Sequence, residues 1–126
     1  MSAPRPLVLV ADDDPDIVTL VRLRLDRLGC EVVTAAAGDE ALRLARSRPP
    51  DLAVLDVSMP GLTGLAVCDA LRREPATRGV RVLLLSARAQ EADRERGLAV
   101  GADGYMTKPF SPRALAERVQ VLLSPA

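Results

Sequence analysis

Apolar residues in this chain gather in five short runs, with longer stretches of mixed character between them. The runs are Leu7 to Ala11, Glu31 to Ala35, Leu52 to Val57, Arg81 to Ser86 and Gly104 to Thr107. Between them the pattern turns helical. Ile17, Val21, Leu25 and Leu28 share one helix face, and Leu115, Val119 and Leu122 share another. Asp14-Pro15-Asp16 and Ser111-Pro112 each supply a capping side chain followed by proline at the first helical position, and Gly29 stops the first helix. Gly38-Asp39-Glu40, Gly64 and the segment Ala89 to Asp93 open the three helices between. Pro4 and Pro6 mark a short leader, and Ser124-Pro125-Ala126 a ragged end.

A strand-helix alternation repeated five times calls for a parallel sheet covered by helices on both faces. Leu7 to Val10, Leu52 to Leu55 and Val82 to Leu85 are continuously apolar, as strands buried on both sides must be. Glu31-Val32-Val33-Thr34 and Gly104-Tyr105-Met106-Thr107 are mixed, which suits sheet edges. Placing strands 1, 3 and 4 inside gives the order 2-1-3-4-5, an α/β, flavodoxin-like, doubly wound (βα)5 three-layer sandwich.

Composition narrows the possibilities. A chain of 126 residues fits a single domain, expected to span the whole chain with its core over about residues 6–123. The apolar fraction of 48% suffices for one core, and no apolar run approaches a membrane span of roughly 20 residues. No apolar segment long enough for a signal peptide follows the first residues, so a soluble, cytoplasmic domain with no membrane contact is expected. Zero net charge and a pI near 6.3 argue against direct nucleic-acid binding by this domain. Cys30 and Cys68 lack metal-ligand spacing and read as free core thiols in a reducing compartment. The absence of histidine removes a Ser-His-Asp triad, a His-based zinc site and a phosphohistidine carrier together. Lys108 is the only lysine among 17 basic residues.

Ligand sites in such sheets lie beyond the carboxyl ends of the strands, near the reversal in strand order. There the sequence sets Asp12-Asp13-Asp14 after strand 1, Asp56 at the end of strand 3, Ser86-Ala87 after strand 4 and Lys108-Pro109 after strand 5. Asp14 is accounted for as a helix cap. Each other residue has an ordinary explanation by itself: a loop acid, a strand-end serine, a solvated lysine. Their convergence on one rim points to a shared ligand. Oxygen donors on a short frame suit Mg²⁺, which takes one or two carboxylates and keeps several waters. A carboxylate is also a competent nucleophile toward phosphorus, forming an acyl phosphate.

Four segments, Val8-Leu9-Val10-Ala11-Asp12-Asp13-Asp14-Pro15, Leu55-Asp56-Val57-Ser58-Met59-Pro60-Gly61, Leu84-Leu85-Ser86-Ala87 and Gly104-Tyr105-Met106-Thr107-Lys108-Pro109-Phe110, closely resemble the receiver domains of bacterial response regulators in two-component signalling. The resemblance covers essentially all of residues 7 to 123. It implies that Asp56 accepts a phosphoryl group from a sensor histidine kinase or phosphotransfer protein, and that the domain catalyses only its own phosphorylation and dephosphorylation. It further implies that Asp13, Asp56 and the Ser58 backbone carbonyl bind Mg²⁺ (or Mn²⁺), with Asp12 contributing through water. Lys108, the Ser86 hydroxyl and the Ala87 amide would hold the phosphate, and Lys108-Pro109 would be a cis peptide. Ser86 and Tyr105 would form the switch pair, with Phe110 filling core. Ser58 and Arg88 occupy positions that tune phosphoryl lifetime in this family.

The switched surface would comprise the fourth helix, fifth strand and last helix, signalling to an output domain or partner and open to homodimer formation. One subgroup builds that dimer from salt bridges. Here Arg94, Arg113 and Arg118 are present, but Ala99, Gly104 and Ala114 stand where the subgroup carries acids. A phosphatase of the haloacid dehalogenase type shares Asp12-x-Asp14, Ser86 and Lys108, yet needs a later acidic motif, and beyond Lys108 the only acid is Glu117. A flavin carrier would need a glycine- and hydroxyl-rich loop and stacking aromatics. A receiver degraded to a mere binding module would have lost an acid or the lysine, and both remain.

Overall fold

The computed structural model describes residues 5–88 and 90–124, so the expectations placed on Pro4, Ala89, Pro125 and Ala126 lie outside the described residues. The elements run β1 (Leu7–Ala11), α1 (Pro15–Arg27), β2 (Glu31–Ala35), α2 (Gly38–Ser47), β3 (Leu52–Asp56), α3 (Gly64–Arg73), β4 (Arg81–Ser86), α4 (Glu91–Ala99), β5 (Gly104–Thr107) and α5 (Pro112–Leu123). The sheet is five-stranded and parallel, in the order β2-β1-β3-β4-β5. This is the flavodoxin-like (βα)5 sandwich expected from the hydrophobic pattern.

Burial follows the strand patterns. β1 and β3 are buried along their whole length and β4 nearly so, while β2 is half-buried over most of its length. Alternate side chains feed two separate cores, as the two-residue period of a strand requires. Leu9, Ala53, Leu55, Val82 and Leu84 face α2 and α3, joined by Val67, Leu71 and Tyr105. Val8, Val10, Leu52, Val54, Leu83 and Leu85 face α1 and α5, joined by Val21, Leu25, Leu115 and Val119. Each fully buried leucine contributes roughly 1.5–3 kcal/mol relative to exposure. Cys30 and Cys68 fall in opposite cores as free thiols, and burial pushes the Cys68 thiol up to about 11.

Helix entry follows local chemistry. The Asp14 carboxylate accepts from the Asp16 N–H, and the Ser111 hydroxyl accepts from the Ala114 N–H. Thr63 caps α3 in the same way through the Ala66 N–H, which the sequence reading did not anticipate. Two boundaries also differ. β3 ends at Asp56, and Val57 lies beyond the strand, half-buried, with its N–H still bonded to the Leu85 carbonyl. Leu28 is the C-cap of α1 rather than part of its buried face, and it is exposed. Among the described residues no helix is long and apolar enough to cross a membrane.

At the pole opposite the carboxyl ends, Arg72 fastens three segments. Its guanidinium donates to the carbonyls of Arg78, Val80 and Gly101 and pairs with Asp103 at 2.9 Å. Asp103 in turn accepts from the Val82 N–H at 2.8 Å. Arg72→Met keeps the aliphatic stem but strands these acceptors. It is expected to cost about 2 kcal/mol, the usual loss for charge-assisted bonds to partly buried groups, measured as a lowered urea midpoint. A midpoint equal to wild type would show that water replaces the guanidinium there at no cost.

Candidate functional site

Strand register brings the chemical residues to one level. Ala11 pairs with Leu55, Asp56 with Leu85, and Ser86 with Thr107, so Asp12, Asp56, Ser86 and Lys108 all stand at the carboxyl edge. β1 and β3 lie at the reversal in strand order, with β2 on one side and β4 on the other. The crevice expected beyond a doubly wound sheet therefore opens between Asp12 and Asp56.

The Lys108 ammonium bridges both acids, at 2.8 Å from Asp12 Oδ2 and 3.3 Å from Asp56 Oδ1. Asp12 is 1% exposed, so its charge depends on local partners. One of its oxygens is on Lys108, and the other accepts from the Asp14 N–H at 2.9 Å. Asp13 is exposed beside them. Carboxylate oxygens of Asp12, Asp13 and Asp56 all lie within 4.8 Å of one another.

Burial and the Asp12 charge push the Asp56 carboxyl above the usual aspartate range, opposed by Lys108 and by the Ser58 backbone N–H. For Lys108, burial works downward but is outweighed by its hydrogen bond to Asp12 and the charges of Asp12 and Asp56. Its pKa is therefore raised and the ammonium persists. The pocket thus holds more negative charge than its lone cation neutralises. A divalent cation with oxygen preference answers that imbalance.

Ser86 is buried, and its hydroxyl accepts from the Arg88 N–H at 3.0 Å. Ala87 follows it on the exposed loop, and Ser58 is exposed just past Asp56. The Lys108–Pro109 peptide bond is cis, and the Lys108 N–H donates to the Ser86 carbonyl at 2.7 Å. Tyr105 occupies an inward position, 9% exposed, with its hydroxyl donating to the Arg88 carbonyl at 2.9 Å. Its ring forms part of the wall of a cleft of about 210 Å³ that includes Ser58, Thr63 and Arg88. Phe110 packs against the α1/α5 core.

Asp12, Asp13, Asp56, Ser58, Ser86, Ala87 and Lys108 thus stand at or just past this edge, with Tyr105 one turn of the pleat below it, opposite Leu84. The direct bond between Asp12 and Lys108 is a contact the sequence did not indicate. The Arg88 carbonyl on Tyr105 went unforeseen; it is a backbone group, so residue type gives no signal for it.

A doubly wound sheet with an acidic, lysine-bridged crevice at its topological switch point narrows the domain's class. The model of the response regulator receiver domain matches residues 8–120, and the chain belongs to that family. It is 47% identical over 116 residues to the alkaline phosphatase synthesis transcriptional regulatory protein PhoP of Bacillus subtilis, covering 92% of this chain and 48% of that protein. It is 42% identical to the phosphate regulon transcriptional regulatory protein PhoB of Rhizobium meliloti, covering 94% and 52% respectively. The chain thus spans about half the length of these curated relatives. Among solved structures, the chemotaxis response regulator CheY4 of Vibrio cholerae superposes with a TM-score of 0.89 at 34% identity, covering 94% of this chain and 99% of that one. Membership of this family carries a phospho-acceptor role in two-component signalling.

Proposed function

We propose that Asp56 is the phospho-acceptor and that its phosphorylation by a partner histidine kinase or phosphotransfer protein is Mg²⁺-dependent. The observation that carries this reading is the Lys108 ammonium held between two buried carboxylates, one of them at the end of the central strand. The donor set fits the ion: clustered carboxylate oxygens with no nitrogen or sulfur ligand among them. Asp13, Asp56 and the Ser58 carbonyl would hold Mg²⁺ directly and Asp12 through water, and Mn²⁺ suits the same donors. When bound, the ion supplies positive charge that offsets the negative oxygens of the phosphoryl group in transfer.

The chain's own residues supply the rest. An Asp56 carboxylate oxygen attacks phosphorus, the new P–O bond forms as the P–N bond to the donor imidazole breaks, and that nitrogen keeps the electron pair. The Lys108 ammonium, already beside Asp56, would pair with one phosphoryl oxygen, and the Ser86 hydroxyl and Ala87 amide would donate to a second. The product bears about 1.5 to 2 negative charges, a strong pull on the Ser86 hydroxyl now engaged with Arg88. Ser86 and Tyr105 share the Arg88 backbone as a partner, so a shift of one alters the packing of the other.

This couples the site to the surface formed by α4, β5 and α5. Arg94, Leu98, Arg113, Arg118 and Val121 are exposed on its two helices, a surface suited to an output domain, a partner protein or a second copy. Removing an exposed acid tests the metal half of the proposal without disturbing the core. Asp13→Asn is expected to weaken Mg²⁺ binding by about 10-fold or more in a calorimetric titration, as loss of a carboxylate ligand should. An unchanged titration would count against the metal assignment.

A further inference from the structure

We infer that Gly38, which lies on α2 outside the carboxylate cluster, is a positioning residue for the metal-facing loop; this rests on the reading of the Ser58 carbonyl as a ligand. The loop of residues 57–63 leaves β3 immediately after Asp56 and returns into α3. It carries Ser58, whose carbonyl is the expected ligand two residues past Asp56, so the path of the loop sets where that carbonyl lies.

The loop rests on the first turn of α2 at points where only glycine fits. The Gly38 N–H donates to the Pro60 carbonyl at 3.0 Å. A Cβ at position 38 would overlap the Leu62 carbonyl and come within 2.8 Å of the Leu62 Cβ. In the opposite direction, a Cβ at Gly61, where φ is +78°, would overlap the Asp39 carboxylate. Two reciprocal close approaches thus press the loop against α2. A displaced carbonyl gives no relief, because the overlap at Gly38 is with backbone rather than with a flexible side-chain tip. The α3 end of the loop is fixed separately, since the Gly64 N–H donates to the Val57 carbonyl at 3.0 Å. With both flanks set, the position of Ser58 follows from where α2 begins. A methyl group at position 38 pushes the loop away from α2 and moves a ligand while every carboxylate stays in place.

The test is Mg²⁺ titration of Gly38→Ala by calorimetry, with urea unfolding in EDTA as a separate measure of folding. Gly79→Ala is the control, because a Cβ there meets nothing within 4 Å. Gly38→Ala is expected to bind Mg²⁺ about 10-fold more weakly, the scale of changes that act through a ligand's support. Labelling by acetyl phosphate should return at saturating Mg²⁺, and Gly79→Ala should match wild type. A folded Gly38→Ala with wild-type Mg²⁺ affinity would overturn the inference, as would labelling that stays lost at saturating metal. Should Gly38→Ala not fold, Asp39 carries the test. Asp39→Ala removes both charge and packing against Gly61, whereas Asp39→Asn removes charge alone. Weaker Mg²⁺ binding in the alanine variant than in the asparagine variant supports the loop contact, and equal binding overturns it. Wild-type protein that takes up no Mg²⁺ would remove the metal site and this role together, a result distinct from a change confined to the variants.

Discussion

Asp56→Asn will take up no phosphoryl group from acetyl phosphate and Mg²⁺ under conditions where wild type gains one, read as the mass of the intact protein. Asparagine keeps the shape of the side chain but its amide is not a nucleophile toward phosphorus. A mass shift of the same size in the variant would move the acceptor to another residue and overturn the assignment. The same substitution should also stabilise the metal-free domain. Asp56 has its folded pKa raised, chiefly by burial and then by the Asp12 charge. A group with a raised folded pKa favours the fold while protonated, and that contribution is lost as pH rises through the folded pKa. At neutral pH the ionised carboxylate is therefore a net cost. In EDTA, the urea midpoint of Asp56→Asn should exceed that of wild type at pH 7, and the gap should close on acidification into the aspartate range. A gap that widens on acidification would mean that Lys108 more than offsets the burial.

Lys108→Met should have the opposite effect on stability. Methionine fills the space of the stem but leaves Asp12 and Asp56 facing each other without the ammonium, 2.8 and 3.3 Å from where it sat. Removing one member of a buried charged cluster typically costs about 3–5 kcal/mol; with Lys108 19% exposed and the Asp14 N–H still bonded to Asp12, about 3 kcal/mol is expected. The loss should shrink when Mg²⁺ is added, since the crowded carboxylates then regain a cation. It should also shrink below about pH 4, where aspartates ordinarily take up protons. The wild-type lysine has a raised folded pKa, so its contribution is complete at neutral pH and fades only above the ordinary lysine range. Phosphoryl uptake by the variant should fall by two orders of magnitude or so, the usual cost of removing one charge-stabilising donor. Urea melts with and without Mg²⁺ check the first part, and timed mass spectra the second. A variant as stable as wild type in EDTA would refute the account of Lys108 as the cluster's counter-charge.

Much of this site was legible in the sequence for a geometric reason. Its side chains sit at the ends of strands, and strand ends are where continuous apolar runs such as Leu52 to Leu55 stop. Edge and centre could be told apart because Glu31 and Thr34 interrupt β2 while nothing polar interrupts β1. The failures also have physical causes. Val57 extends the apolar run of β3 although the ladder ends at Asp56, so hydropathy alone set that boundary one residue late. Leu28 keeps the helical spacing but falls on the C-cap, where the chain is turning away from the core. Thr63 lies in a Gly-Leu-Thr-Gly stretch whose glycines suggest turn and conceal a cap. Arg72 is one arginine among many, and nothing in its neighbourhood marks it as the fastening of the lower pole. The seating of the 57–63 loop on α2 depends on where Gly38 meets the Leu62 backbone and Gly61 meets the Asp39 side chain, which no local pattern encodes.

The inward ring of Tyr105 has a consequence for observation. With one tyrosine and no tryptophan in the chain, near-ultraviolet absorption and emission come almost entirely from a single side chain. That chromophore hydrogen-bonds the loop that follows Ser86 and stands three residues before Lys108. A spectral change on adding a ligand needs no deconvolution, since there is one phenol to assign it to. The domain is, in effect, supplied with its own optical label, already installed between the site and the surface expected to respond to it.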